Sequence, residues 1–278
     1  MEFTLSNNLS IPCPGFGTFK TPDGEICIDA VHEAIDAGYT HIDTAAVYGN
    51  ERSVGEGIRQ SSKARSKLFI TSKVWNTDRG YDSTLRACEK SLKDLGTEYL
   101  DLYLIHWPAN FLQFGDKANS INTETWRAME RLVEEKMVRS IGLSNFYPSH
   151  MAAVLANANI APKVDQIEYH PGLLQEETIA LCRQNGILVE AWSPLGRGRL
   201  LENPLIERIA STHGKTPSQV LLRWCIQNGV LPLVKSVHAD RIQENLDFFD
   251  FELRPEEMTA ISAMPEARYG SHPDKAEF

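Results

Sequence analysis

The feature that most constrains this chain is a repeated change of period. Strand-like runs rich in β-branched or aromatic residues occur at 68–72 (LFITS), 99–107 (YLDLYLIHW), 138–144 (VRSIGLS), 164–169 (VDQIEY), 187–192 (ILVEAW) and 230–234 (VLPLV). Two more at 15–18 and 40–43 bring the count to eight. Helical periodicity fills the gaps at 27–37, 82–95, 124–135, 175–184, 204–211, 217–227 and 239–248. Gly38 and Gly96 stand where left-handed helix exits are expected, and Thr216, Pro217 and Gln219 have the layout of a capped helix start. A strand returns about every 30 residues, the length that right-handed βαβ crossovers need. No Pro-, Gly- or Ser-rich linker interrupts the series, so one domain over residues 1–278 is expected. Closing eight parallel strands gives a (β/α)₈ TIM barrel, with an open doubly wound sheet as the alternative. Residues 256–278 read as a tail over one mouth.

Composition narrows the function classes. The chain carries 28 Lys+Arg against 37 Asp+Glu, a net charge of −9, and no basic run. That is a poor footprint for nucleic acid or an anionic membrane. Five scattered cysteines, Cys13, Cys27, Cys88, Cys182 and Cys225, show no CxxC or metal-knuckle spacing, and no HExxH occurs. No metal is therefore expected, and the thiols read as reduced. Without a signal-like start or a long apolar stretch, a cytoplasmic protein is expected. Two partial glycine fingerprints, at 15–17 and 196–198, lack their third glycine, and the GKT at 214–216 lacks the leading glycine of a P-loop.

Barrel enzymes place their chemistry just beyond the C-terminal ends of the strands. That rule gathers Asp43 and Tyr48 after the second strand, Lys73 after the third, His106 after the fourth, and Ser144 and Asn145 after the fifth. Gln166 and Glu168 lie at the sixth, Trp192 and Ser193 after the seventh, and Lys235 and Ser236 after the eighth. A phenol can give a proton to a developing alkoxide, an ammonium beside it should lower its pKa, and a carboxylate can hold that ammonium. A neutral imidazole can orient the carbonyl oxygen. The hydride must come from elsewhere, so a nicotinamide belongs in the same mouth. Each residue also has a structural alternative: an Asx turn for Asp43, ring packing for Tyr48, a solvated strand end for Lys73, a core histidine for His106.

Ordered motifs add specificity: 38–50 (GYTHIDTAAVYGN), 68–76 (LFITSKVWN), 101–108 (DLYLIHWP), 141–146 (IGLSNF), 166–170 (QIEYH) and 190–195 (EAWSPL), then Lys235-Ser236 and Arg241 with Glu244-Asn245. On these the chain resembles the aldo-keto reductases, and within them the bacterial branch of 2,5-diketo-D-gluconate and methylglyoxal reductase-like enzymes. The resemblance implies a barrel closed at its base by a hairpin at about 3–12, an NADPH/NADP+ cofactor, and a small carbonyl substrate reduced to an alcohol. It assigns catalysis to Asp43, Tyr48, Lys73 and His106, with Tyr48 delivering the proton and the 4-pro-R hydride coming from NADPH. Cofactor contacts fall on Thr18, Phe19, Asp43, Ser144, Asn145, Gln166, Trp192, Ser193, Leu195, Gly196, Lys235, Ser236, Val237, Arg241, Glu244 and Asn245. Ser144, Asn145 and Gln166 would hold the carboxamide, Trp192 would stack on its ring, and Lys235, Ser236 and Arg241 would form the 2′-phosphate pocket. Phe19, Val47, Tyr48, Trp75, His106 and Trp107 would line the substrate pocket. Residues 110–122 read as a loop beside it. A monomer is implied. A cofactor-sensing channel partner and an unrelated barrel isomerase or lyase are the rival readings.

Overall fold

In the computed structural model, which describes residues 1–278, the chain opens with an antiparallel hairpin, β1 (Glu2–Thr4) and β2 (Ser10–Pro12). Eight short strands follow: β3 (Gly15–Gly17), β4 (His41–Asp43), β5 (Phe69–Val74), β6 (Leu102–Ile105), β7 (Ile141–Ser144), β8 (Val164–Glu168), β9 (Leu188–Trp192) and β10 (Leu231–Val234). They pair in parallel in chain order, and β10 returns to β3, so the barrel is closed. The hairpin lies at the end where the strands begin: Asn7 donates to the Arg139 carbonyl just before β7, and Ile11 is fully buried. One continuous apolar core of 60 buried residues joins barrel and helices.

The helices are α1 (Glu25–Ala37), α2 (Glu51–Gln60), α3 (Tyr81–Leu95), α4 (Phe111–Phe114), α5 (Ala118–Glu134), α6 (Pro148–Asn157), α7 (Glu176–Gln184), α8 (Pro204–His213), α9 (Pro217–Gln227), α10 (Ala239–Glu244) and α11 (Pro255–Ser262). The start of α9 is the expected capping box: Thr216 Oγ1 accepts from the Gln219 amide, and the Gln219 side chain accepts from the Thr216 amide.

Several expectations are corrected. Three helices, α2, α6 and α11, stand where none was expected, and α11 takes the first residues of the supposed tail. The 110–122 stretch is largely helical: Asn110 caps α4, and α5 begins at Ala118. Asn122 bonds both backbone groups of Ala109, which fixes this polar start of α5 in place of a free loop. The last expected helix stops at Glu244 instead of 248. The strand expected at 99–107 contracts to β6: at Asp101 the Ile70 amide donates to the side-chain carboxylate, which also holds Arg65 and Arg139, in place of a backbone carbonyl. Gly96 adopts the left-handed exit (φ 65, ψ 39), whereas Gly38 turns at φ 129, ψ −6, outside the left-handed helical region.

No helix is long and apolar enough to cross a membrane. No group of three or more His, Cys, Asp or Glu side chains is placed to hold a metal ion.

Candidate active site

The C-terminal ends of the strands open into a cleft of about 900 Å³. Its deep end is built on β4, β5 and β6. Lys73, on β5, is completely buried, so it is not a solvated strand end. Its ammonium donates to both carboxylate oxygens of Asp43 on β4, at 2.7 and 2.8 Å, and to the Thr44 carbonyl at 2.9 Å. Burial pulls its pKa down, but Asp43 and then Tyr48 push back, and the net direction is upward. The amine is therefore held as a cation. The Tyr48 hydroxyl lies 3.5 Å from it, at the end of a short turn after β4.

The expected acidified phenol is corrected here. Burial raises the Tyr48 pKa more than the Lys73 ammonium lowers it, so in this arrangement the phenol sits above its ordinary value of 10. The group is a stored proton, not a phenolate. His106, just beyond β6, packs edge-on to the Tyr48 ring with centroids 5.6 Å apart. Burial, then Lys73, drives its pKa well below 6.5, so the imidazole is neutral. Its Nδ1 is buried without a partner. A bare lone pair is cheaper to bury unpaired than an N–H, which favours the tautomer with its proton on Nε2. That nitrogen bonds nothing in the protein and is left to donate into the cleft.

Above this cluster the walls are aromatic. Phe19 lies 5.1 Å from the Tyr48 ring, Trp75 lies 5.1 Å from His106, and Phe278 stacks on Trp75 and meets Trp107 edge-on. Val47 completes the rim. Along the floor, Ser144 donates to the Gln166 carbonyl at 2.8 Å, and Asn145 donates to the His106 carbonyl at 2.9 Å and to Ser144 Oγ at 3.1 Å. Trp192 Nε1 donates to Asn145 Oδ1 at 2.8 Å, which fixes the indole plane beside them. The Gln166 amide spends both its hydrogens on Asp43 and Glu190, so Ser144, Asn145 and Gln166 chiefly offer acceptors to the cleft.

The far end is cationic. Lys235, Ser236, Val237 and Arg241 line it, and neither Lys235 nor Arg241 forms an ion pair with a carboxylate. Glu244 accepts from the Thr216 hydroxyl and Asn245 from Ser218, so the segment carrying Arg241 is tied to the start of α9.

Most of the expected site residues thus share one cleft, Ser193 and Leu195 included. Two do not line it. Thr18 is fully buried, and both its amide and its hydroxyl donate to the Asp43 carbonyl, so it braces the β3–β4 corner. Gly196 turns away with φ +58 and packs against Leu200 and Tyr269. Glu168 also serves elsewhere: it accepts from the Tyr269 and Gly270 amides and anchors the C-terminal segment over the mouth. Sequence reasoning missed Lys20, Arg197, Ser271 and Phe278 on the cleft wall. Ser271 and Phe278 arrive from that segment, and no local pattern announces them.

The Aldo/keto reductase family model matches residues 15–266. The glyoxal reductase of Bacillus subtilis (strain 168) is 48% identical over 275 residues, 99% of this chain and 96% of that protein. The 9,11-endoperoxide prostaglandin H2 reductase of Trypanosoma cruzi (strain CL Brener) is 46% identical over 276 residues, 98% of this chain and 94% of that protein. A solved aldo-keto reductase of Bombyx mori in complex with NADP is similar at a TM-score of 0.89 and 36% identity, covering 98% of this chain and 95% of that one. With likeness in sequence and in barrel over nearly the whole length, the chain belongs to the aldo/keto reductase family and is an oxidoreductase.

Proposed function

We propose that this enzyme reduces small aldehydes, α-dicarbonyl compounds of the glyoxal or methylglyoxal kind, and keto sugar acids of the 2,5-diketo-D-gluconate kind, to alcohols. The cofactor is NADPH. The residues present fit it: acceptor oxygens on Ser144, Asn145 and Gln166 suit a carboxamide, the fixed indole of Trp192 suits a flat ring, and the unpaired cations Lys235 and Arg241 suit a phosphate dianion. Bound NADPH supplies the hydride for the carbonyl carbon.

The observation that carries the reading is the Tyr48 hydroxyl, 3.5 Å from an ammonium that Asp43 holds in place, on the same wall as a neutral His106. His106 Nε2 donates to the substrate oxygen and aims the carbonyl. As that oxygen becomes an alkoxide, its basicity far exceeds that of the phenol, and Tyr48 Oη gives up its proton. The phenolate left behind is stabilised by Lys73, whose charge Asp43 and the Thr44 carbonyl keep in place. The aromatic walls exclude water and favour small, flat substrates. The relative at 48% identity that bears the name glyoxal reductase supports the dicarbonyl reading. Assay of a panel of aldehydes, α-dicarbonyls and simple ketones with NADPH tests it. Glyoxal and methylglyoxal should turn over with higher kcat/KM than the ketones; ketones ahead of both would overturn the substrate class.

A further inference from the structure

Gln166, on β8, has both hydrogens of its amide committed inward. Nε2 donates to Asp43 Oδ2 at 2.8 Å and to Glu190 Oε2 at 2.9 Å. Asp43 alone decides which end of the amide points inward, because an amide oxygen turned toward a carboxylate would be repelled. A single hydrogen bond still lets the amide plane rock, and a second acceptor from another strand stops it. Gln166 lines the cleft, and both side-chain hydrogen bonds it makes run through Nε2, so the clamp leaves Oε1 presented to a ligand.

Glu190 sits on β9, is fully buried and does not line the cleft. Its other oxygen, Oε1, has no hydrogen-bond partner, and the nearest titratable nitrogen, His41 Nε2, is 3.9 Å away. Burial, then Asp43, pushes the Glu190 pKa up to about 8, while burial draws His41 down to about 4. Near neutral pH the contact therefore joins two uncharged groups, not an ion pair. A neutral acid accepts from Gln166 at one oxygen without competing with Asp43 for the Lys73 ammonium.

We propose that Glu190 is a positioning residue of the reduction: with Asp43 it clamps the Gln166 amide so that Oε1 is held as a fixed acceptor for the carboxamide of the cofactor. The proposal rests on the NADPH reading above. Removing the Glu190 acceptor leaves a buried N–H of Gln166 unpaired, and that amide turns away to find another partner.

The test uses the full-length enzyme, with NADPH affinity from fluorescence titration and, separately, kcat and KM for methylglyoxal. Glu190→Met should raise the NADPH Kd about tenfold and lower kcat, with KM for methylglyoxal changed less than about twofold. Glu190→Gln keeps an acceptor oxygen at the same reach and should restore both. In a Gln166→Met background, Glu190→Met should add no further loss of NADPH affinity. A wild-type Kd in Glu190→Met, or an undiminished loss in that background, would overturn the clamp. If Glu190→Met does not fold, Glu190→Thr, too short to reach Gln166, replaces it with the same outcomes. Failure of the wild-type enzyme to bind NADPH would strike the cofactor reading instead, so the two failures are distinguishable.

Discussion

At the scale of single residues, burial sets the chemistry. Lys73 is charged and His106 neutral within one cluster because Asp43 compensates the first and nothing compensates the second. The same logic reaches stability through His41, which is fully buried, with Nδ1 3.3 Å from the Pro12 carbonyl and Nε2 3.0 Å from Thr71 Oγ1. Its pKa falls from 6.5 to about 4 on folding. Between those values the unfolded chain binds more protons, so this contribution is whole above pH 6.5 and is lost as pH falls toward 4. The loss amounts to about 3 kcal/mol at most. Chemical denaturation of wild type and His41→Gln at pH 7 and pH 4.5 should show a steeper acid loss in wild type. Parallel losses would contradict a neutral His41.

At the scale of elements, the sequence was most legible where period and caps agreed. The helix expected at 217–227 is α9 itself, because Thr216, Pro217 and Gln219 encode its start locally. Six of the eight barrel strands lie within a residue or two of where they were expected, and the 99–107 and 138–144 stretches each begin three residues too early. Helix α2 was illegible for a physical reason: Gly55 and Gly57 look like breakers, yet they let neighbours approach. A Cβ on Gly55 would sit 2.3 Å from the Leu95 carbonyl oxygen, and one on Gly57 would sit 2.7 Å from the Ile28 carbonyl oxygen. Gly55→Ala should therefore destabilise the fold by about 1–3 kcal/mol, although helix propensity alone would favour alanine by about 1 kcal/mol. Urea unfolding decides between the two; a stabilised variant would refute the close approach. Helix α11 was missed because its cap is Arg254, whose amide donates to Glu257, and arginine is not a start signal. That Asp43, Tyr48, Lys73 and His106 gather at one end of the barrel was readable from strand-end position and motif order. What was not readable is side-chain commitment: Thr18 and Gly196 sit beside the cleft in sequence and turn from it in space.

At the scale of the whole molecule, one cleft joins a proton store to a cationic pocket across the mouth of the barrel. The hairpin fills the opposite end, and Glu168 draws the C-terminal segment over the top, so Ser271 and Phe278 close a wall that the strands leave open. If the cations at the far end answer a 2′-phosphate, Arg241→Ala should weaken NADPH by roughly tenfold or more and NADH by less than about twofold. Equal weakening in paired fluorescence titrations would remove that assignment. The central claim concerns the other end, where a half-buried, protonated Tyr48 is the proton source. Single-turnover mixing of the NADPH-loaded enzyme with methylglyoxal, followed by NADPH absorbance, tests it most directly. Tyr48→Phe should bind NADPH with wild-type affinity and oxidise it slower by a factor on the order of 10² or more. An undiminished rate in that variant would contradict the account.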